Sequence, residues 1–83
     1  MANLASFIIP QDGEYHDAAA AGEITFTADK SYAVQILNPA YIREGGTGSG
    51  FYIFDNKPFQ FTAGEDSLYI KAANGSVTVN IAD

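Results

Sequence analysis

The chain has 83 residues, ten acidic and four basic side chains, one histidine and no cysteine, and its formal net charge is −6. This length accommodates one domain, and the absence of cysteine excludes disulfides as a source of stability. The acidic balance argues against binding to nucleic acid, which needs Lys and Arg to neutralise phosphates. It also argues against an anionic membrane surface. We therefore expect a small domain that gains stability by association with other chains.

The first 22 residues are predicted to form an N-terminal arm that packs on its own sheet or on a neighbouring chain. The first Lys or Arg is Lys30 and the apolar run is short, so no secretory signal is recognised and we expect a soluble chain. A further strand is predicted at 6–9, and 18–21 is long enough for one helical turn. The apolar residues of the arm are Leu4, Phe7, Ile8 and Ile9.

The remainder, 23–83, is predicted to be the β-domain. Turn residues recur at short intervals and separate runs rich in β-branched and aromatic side chains. This spacing predicts an all-β fold, a small antiparallel β-sandwich or barrel of about six to seven strands. The predicted strands are 23–28, 32–37, 50–54, 59–62, 67–72 and 76–81.

Two hairpins are predicted within this domain. The first joins 23–28 to 32–37 through a turn at 29–31. The second has Asn74-Gly75 as a type I′ turn, because both central residues of that turn need a positive φ. Its register places Ile70 opposite Val79 and puts all the apolar residues of both strands on one face.

The run Phe51-Tyr52-Ile53-Phe54 is apolar on both faces of a strand. It is therefore predicted to lie in the centre of a sandwich or to be covered by another chain.

Candidate sites for chemistry are weak. The glycine-rich segment 45–50 lacks the lysine and the following helix of a phosphate-binding loop, so we interpret it as a connection between strands, preceded by a solvated Arg43–Glu44 pair. Adjacent carboxylates at Glu65 and Asp66 point to opposite faces in an extended chain and suit a turn better than catalysis. No catalytic residue, cofactor site or nucleophile is predicted, and we expect that the protein is not an enzyme.

A metal site is also not predicted. The stretch Asp12, Glu14, His16, Asp17 offers oxygen and imidazole donors. A catalytic zinc or iron site normally uses two or three imidazoles on a rigid scaffold, and this stretch has one in a turn-rich segment. We interpret it as a solvated polar turn.

Five tyrosines and six phenylalanines are many for a chain of this size. Three interpretations stay open at this point: ordinary core and rim packing, anchors at an interface with other chains, or a platform on which sugars stack. The tyrosines considered for the last two are Tyr32, Tyr41, Tyr52 and Tyr69.

From about Glu23 onward, the chain resembles the small all-β decoration or cement proteins that stud the heads of tailed bacteriophages. The resemblance lies in the segment from Ser67 to Ile81, in the preceding Phe59-Gln60-Phe61-Thr62-Ala63-Gly64, and in the acidic, cysteine-free composition. It implies a structural virion protein, made in the host cytoplasm, that binds the major capsid protein on the outer capsid surface and stabilises the shell. It also implies a homo-oligomer, with a trimer favoured. The alternative is a carbohydrate-binding or adhesion module of a phage fibre or host surface.

Either role requires surface contacts, and the apolar arm and the two-sided strand are the segments that would supply them. The predicted interface residues are Leu4, Phe7, Ile8, Ile9, Tyr41, Tyr52 and Phe54.

Overall fold

The computed structural model describes residues 3–45 and 50–83, and within them eight strands form two antiparallel sheets. The prediction of a small antiparallel β-sandwich or barrel is confirmed in the form of a sandwich, with one or two strands more than expected. The elements are β1 (Asn3–Ile9), β2 (His16–Asp17), α1 (Ala18–Gly22), β3 (Ser31–Leu37), β4 (Ala40–Glu44), β5 (Phe51–Ile53), β6 (Phe59–Thr62), β7 (Leu68–Ala72) and β8 (Val77–Ala82).

Sheet A has the strand order β1-β8-β3-β6, and sheet B has the order β2-β7-β4-β5. Alternate residues of the longer strands, such as β3, β7 and β8, point inward, and the two inner faces pack against each other to form the core. Its largest fully buried side chains are Ile9, Val34, Leu68, Ile70, Val77, Val79 and Ile81.

The predicted C-terminal hairpin is wrong, because β7 and β8 lie in different sheets. β7 pairs with β2 and β4, whereas β8 pairs with β1 and β3. The connection between them carries the chain across the sandwich, and of Asn74 and Gly75 only Gly75 has a positive φ, 84°. A type I′ turn needs both, so this connection is not one. The apolar residues of each strand do lie on one side of that strand, as predicted. Because β7 and β8 lie in different sheets, their two apolar sides face each other across the core.

This crossing is held by a side chain from the N-terminal segment. The Gln11 amide donates to the Ala73 carbonyl at 3.2 Å and accepts from the Gly75 N–H at 2.7 Å. The Ala73 N–H donates to the Pro39 carbonyl, in the connection between β3 and β4, at 3.1 Å. These bonds satisfy backbone groups that a hairpin ladder would otherwise have paired.

The hairpin predicted from 23–28 and 32–37 is also wrong. Both edges of β3 are occupied, by β8 and by β6, so no edge remains for 23–28. The segment is irregular and begins with Glu23 in the left-handed region, at φ 56°, where it ends α1. Phe26 packs edge-on to the rings of Tyr32 and Phe61, with centroids 4.9 and 5.0 Å away. The alternation of Ile24 and Phe26 therefore reflects a loop that covers one end of the core.

Residues 3–22, predicted as an arm, contribute to both sheets. β1 pairs with β8 along sheet A, and β2 pairs with β7 at the edge of sheet B. The helical turn predicted at 18–21 is confirmed as α1, and the Asp17 carboxylate caps it by accepting from the Ala19 N–H at 2.9 Å. Of the two positions considered for this segment, its own sheet is the one observed for β1.

The strand β4 is not among those predicted from the sequence, where Asn38-Pro39 follows the strand predicted at 32–37 and is typical of a strand end. Proline instead marks the passage from sheet A to sheet B, and β4 begins directly after it. In β4, Ala40 faces the core while Tyr41 and Arg43 face outward. None of the helices in the described ranges has the length and apolar character needed to span a membrane.

Candidate interaction surface

The outer side of sheet B carries a group of aromatic and basic side chains, which we call the aromatic face. Register explains the grouping: Tyr41 of β4 lies opposite Tyr52 of β5 on one side and Lys71 of β7 on the other. Arg43 lies opposite Tyr69 in the same way. The aromatic face is defined by Tyr15, Tyr41, Arg43, Tyr52, Phe54, Tyr69 and Lys71.

The part of the aromatic face around β5 is the most exposed. Tyr52 is 52% exposed and Phe54 68% exposed, and Tyr41 borders them. The rings of Tyr41 and Tyr52 are 5.2 Å apart, and those of Tyr52 and Phe54 are 5.8 Å apart. Three adjoining rings on one exposed surface form an apolar patch of the kind that marks contact with another molecule.

The basic part of the aromatic face is held in place by the ring of Tyr15, which comes from the loop before β2. The Arg43 guanidinium lies 3.8 Å from the centroid of this ring, and the Lys71 ammonium lies 5.0 Å from it. Lys71 is also 5.1 Å from the ring centroid of Tyr41. Cation–π contacts of this kind hold both positive charges beside the apolar patch. Two of the four basic residues of an acidic chain are thus concentrated on one side of one sheet.

Gly50 allows Tyr15 to reach this position. Gly50 has φ 77°, and a side chain there would collide with the Ile42 carbonyl and lie 2.6 Å from the Tyr15 hydroxyl. The close approach of the Tyr15 hydroxyl therefore depends on glycine at position 50.

The predicted interface residues do not form one surface. Tyr41, Tyr52 and Phe54 lie together on the aromatic face, whereas Leu4 and Ile8 are exposed on β1, at the far edge of sheet A. Phe7 is half-buried and packs against the core. Ile9 is 1% exposed and belongs to the core, so its side chain is not available to a partner.

The four tyrosines considered as a sugar platform are likewise separated. Tyr32 is 3% exposed, and its hydroxyl accepts from the Thr27 N–H at 2.7 Å inside the fold. The remaining three share the aromatic face, but the rings of Tyr41 and Tyr52 are inclined by 50°. Flat stacking of a sugar chain needs rings in a common plane, and these two are not.

Arg43 and Lys71 were not recognised from the sequence. Arg43 was interpreted as a solvated partner of Glu44, but the two point to opposite sides of β4, and Arg43 is half-buried beside Tyr15. The signal available was the period of two in Tyr41-x-Arg43 and Tyr69-x-Lys71, which places each pair on one strand face.

A cleft of about 410 Å³ opens on the other side of β5, between the edges of the two sheets. Ile42, Phe59, Phe61 and Leu68 contribute to its lining, and Phe51, 77% exposed, stands at its rim. Phe51 is thus more exposed than its neighbours Tyr52 and Phe54 on the aromatic face, but it points the opposite way. β5 is an edge strand of sheet B, so the central position considered for this run is wrong, and its two-sided apolar character reflects two different surfaces.

The polar stretch from Asp12 to Asp17 is arranged by hydrogen bonds. Asp12 accepts from the Glu14 N–H at 3.1 Å and contacts His16 Nε2 at 2.9 Å. The Glu14 N–H, and to a lesser extent His16, lower the pKa of Asp12. Asp17 accepts from the Ser67 hydroxyl at 2.6 Å as well as capping α1. Among the described residues, no group of three or more His, Asp or Glu side chains is placed to hold a metal ion.

The other candidates stay apart from the aromatic face. Glu65 and Asp66 are exposed in the turn between β6 and β7. In the glycine-rich segment, Gly45 and Gly50 both have a positive φ, and 46–49 lie outside the described residues.

No protein-family model, curated protein or solved structure matches this chain. The aromatic face is therefore the feature from which a function is inferred.

Proposed function

We propose that the protein is a structural binding subunit that attaches to a larger protein assembly through the aromatic face, and that this assembly is the outer surface of a tailed-phage capsid. The observation that carries the proposal is the exposed cluster of Tyr41, Tyr52 and Phe54, with Arg43 and Lys71 beside it.

The composition of the aromatic face suits contact with protein. Tyrosine, phenylalanine and arginine are enriched at protein interfaces, and a few of them supply most of the binding free energy. The Arg43 guanidinium already contacts the ring of Tyr15, 3.8 Å from its centroid, and lies 6.0 Å from the centroid of Tyr69. Little conformational entropy is lost when a side chain held in this way contacts a partner.

The small size of the chain supports the same conclusion. A standard interface buries about 800 Å² on each partner, which is about a sixth of the 4806 Å² surface of this chain. A subunit that loses this share of its surface on a shell gains stability by mass action, because the shell binds only the folded form. The capsid as the particular assembly comes from the resemblance to phage decoration proteins.

A sugar-binding role is supported less well. The 50° inclination between Tyr41 and Tyr52 breaks the common plane that a glycan platform uses. Arg43 and Lys71 suit an acidic partner surface equally well whether it is a protein or a sugar, so the experiment includes both.

The test is co-sedimentation of the purified protein with tailed-phage capsids assembled from their major capsid protein, together with a glycan array. The double variant Tyr52→Ala/Phe54→Ala removes two exposed rings from the aromatic face. The matched control is Phe51→Ala, since Phe51 is at least as exposed as Tyr52 and Phe54 but points toward the cleft.

We expect the double variant to weaken capsid binding at least tenfold, as loss of hot-spot aromatics does, and the control to bind like wild type. Absence of capsid binding by the wild-type protein, or equal binding by the double variant, would overturn the proposal. Glycan binding that the double variant abolishes would replace it with the sugar-binding role.

A further inference from the structure

The cleft beside β5 has the size and the lining of a small-molecule site. Its volume of about 410 Å³ falls within the range of about 300–1,000 Å³ that is usual for such sites. Sites of this kind are lined mostly by apolar side chains and carry a few polar groups that orient the ligand. The apolar residues that line this cleft come from both sheets and are Ile42, Phe51, Phe59, Phe61 and Leu68.

The cleft exists because the two sheets end here without a strand to close the gap between them. β6 is the last strand of sheet A and pairs only with β3, and β5 is the last strand of sheet B and pairs only with β4. Phe59 is half-buried against the core, and Phe51 is 77% exposed at the rim. A ligand with an apolar body would remove these rings from water, which favours its binding.

One end of the cleft is acidic. Glu44 and Thr62 line the cleft and also line a neighbouring cavity of about 290 Å³, so the two cavities meet at these residues. The rest of the neighbouring cavity is formed by Gly64, Glu65 and Asp66, in the turn between β6 and β7. We call the carboxylates of Glu44, Glu65 and Asp66 the acidic end of the cleft.

The acidic end is held in place by contacts between β4 and the start of β7. Glu44 of β4 lies opposite Leu68 of β7. The Gly45 N–H donates to the Ser67 carbonyl at 3.0 Å, and a side chain added at Gly45 would lie 3.3 Å from the carboxyl carbon of Asp66. The turn that carries Asp66 is thus attached to the end of β4, beside the cleft.

The charge of the acidic end is not neutralised by ion pairs. Within the part of the chain that the structure describes, the ion pairs join His16 to Asp12 and Lys30 to Asp83, and none involves the acidic end. Arg43 also borders the cleft, but its guanidinium lies against a tyrosine ring on the outer side of sheet B. Carboxylates attract cations and repel anions, and at moderate ionic strength this acts over about 10 Å.

We infer that the cleft binds a small amphipathic amine, with its apolar body among the phenylalanine rings and its ammonium group at the acidic end. An anionic amphiphile such as a fatty acid would find the same apolar lining but would be repelled by the carboxylates. A neutral one would gain burial without electrostatic attraction. The charge of the head group therefore selects the amine among ligands with the same apolar body.

This inference is separate from the proposed function. Phe51 points toward the cleft, whereas Tyr52 and Phe54 lie on the aromatic face. A ligand in the cleft therefore leaves the rings proposed to contact the capsid uncovered.

The experiment is a titration of the full chain, labelled with ¹⁵N and followed by NMR, with three probes that share an eight-carbon chain. The probes are octylammonium, octanol and octanoate, at neutral pH and low salt. We expect octylammonium to bind with a dissociation constant below about 1 mM. Octanoate should bind at least tenfold more weakly, and octanol should lie between them. Raising the salt concentration to about 1 M should bring the three constants closer together, because salt screens the carboxylates.

The first pair of variants tests the acidic end. Glu44→Gln/Asp66→Asn removes two of its charges, and the matched control Glu14→Gln/Glu23→Gln removes two charges at exposed positions outside the cleft. The first variant should raise the dissociation constant of octylammonium at least threefold and leave that of octanol unchanged. The control should bind both probes like wild type.

The second pair of variants separates the cleft from the aromatic face. Phe51→Ala should weaken the binding of all three probes, because each loses an apolar contact at the rim. Tyr52→Ala/Phe54→Ala should bind them like wild type. Capsid binding should respond to these two variants in the opposite way, so the cleft and the aromatic face can fail independently.

Several results would overturn the inference. Octanol or octanoate binding as tightly as octylammonium would assign the cleft to neutral or anionic ligands. Equal effects of the two charge variants would show that only the net charge matters. The absence of saturable octylammonium binding at about 1 mM would exclude the site. Self-association of the wild-type chain that Phe51→Ala abolishes would place a second copy on the cleft instead.

Discussion

Replacing Gly50 by alanine is expected to destabilise the fold more than the same change at Gly75 or Gly64. The three positions separate two physical effects. Gly64 has neither a positive φ nor a neighbour within 4 Å of an added side chain. Gly75 has φ 84° with open space around it, whereas Gly50 combines φ 77° with a collision against the Ile42 carbonyl and the Tyr15 hydroxyl.

The expected magnitudes follow from these differences. A non-glycine residue in the left-handed region costs about 1–2 kcal/mol, and overpacking costs about a further 1–3 kcal/mol. Gly50→Ala should therefore lower the free energy of unfolding by about 2–5 kcal/mol, and Gly75→Ala by about 1–2 kcal/mol. Gly64→Ala should have no effect or raise it by up to about 1 kcal/mol, because alanine restricts the unfolded chain.

Urea denaturation followed by circular dichroism measures all three variants, with the m-value as a check that the same surface is exposed on unfolding. A chain of this size has a total stability of about 4–12 kcal/mol, so the experiment should be run at low temperature. If Gly50→Ala and Gly75→Ala agree within about 0.5 kcal/mol, then Tyr15 does not pack over Gly50 as described. The arrangement of Arg43 on the aromatic face would then be wrong as well.

Three further changes test other parts of the fold. Gln11→Ala should lower the free energy of unfolding by about 1–3 kcal/mol, because two hydrogen bonds to the connection between β7 and β8 are lost; an unchanged urea midpoint would contradict those contacts. Ile70→Ala should cost about 2–5 kcal/mol, since Ile70 is 0% exposed; a loss below about 1 kcal/mol would place Ile70 outside the core. The pKa of Asp12 is lowered in the folded chain, so the charged form of Asp12 stabilises the fold. This contribution is fully present above the ordinary carboxyl pKa of 3.8 and disappears as the pH falls through the lowered pKa. Asp12→Asn should therefore be less stable than wild type at neutral pH and equally stable in acid, as measured by thermal unfolding between about pH 2 and pH 7; a difference that persists in acid would show that the charge is not responsible.

The positions of most strands could be predicted from the sequence. The strands predicted at 32–37, 59–62, 67–72 and 76–81 are observed as Ser31–Leu37, Phe59–Thr62, Leu68–Ala72 and Val77–Ala82. Each has a period of two in apolar residues and ends at turn residues, and both signals are local. The segment 23–28 has the same alternation and is not a strand, since alternation records which side chains are buried and not which backbone groups are paired.

The candidate site was found only in part. Tyr41, Tyr52 and Phe54 were identified as surface aromatics, and they are exposed together. These aromatic residues lie beside Arg43 and Lys71 because β4 lies between β5 and β7 in sheet B. Neighbours across a sheet can be far apart in the chain, and one sequence contains no signal that specifies such pairs.

The order of residues alone determined the all-β class, the inward and outward sides of most strands and the acidic character of the chain, because these follow from side-chain chemistry and the pleat of a strand. The tertiary structure decided which strands are neighbours. β7 and β8 satisfy the same alternation either as a hairpin or as opposite walls of a sandwich. Alternation specifies which side of each strand is buried but not which strand lies beside it, so only contacts between residues distant in the chain distinguish the two arrangements.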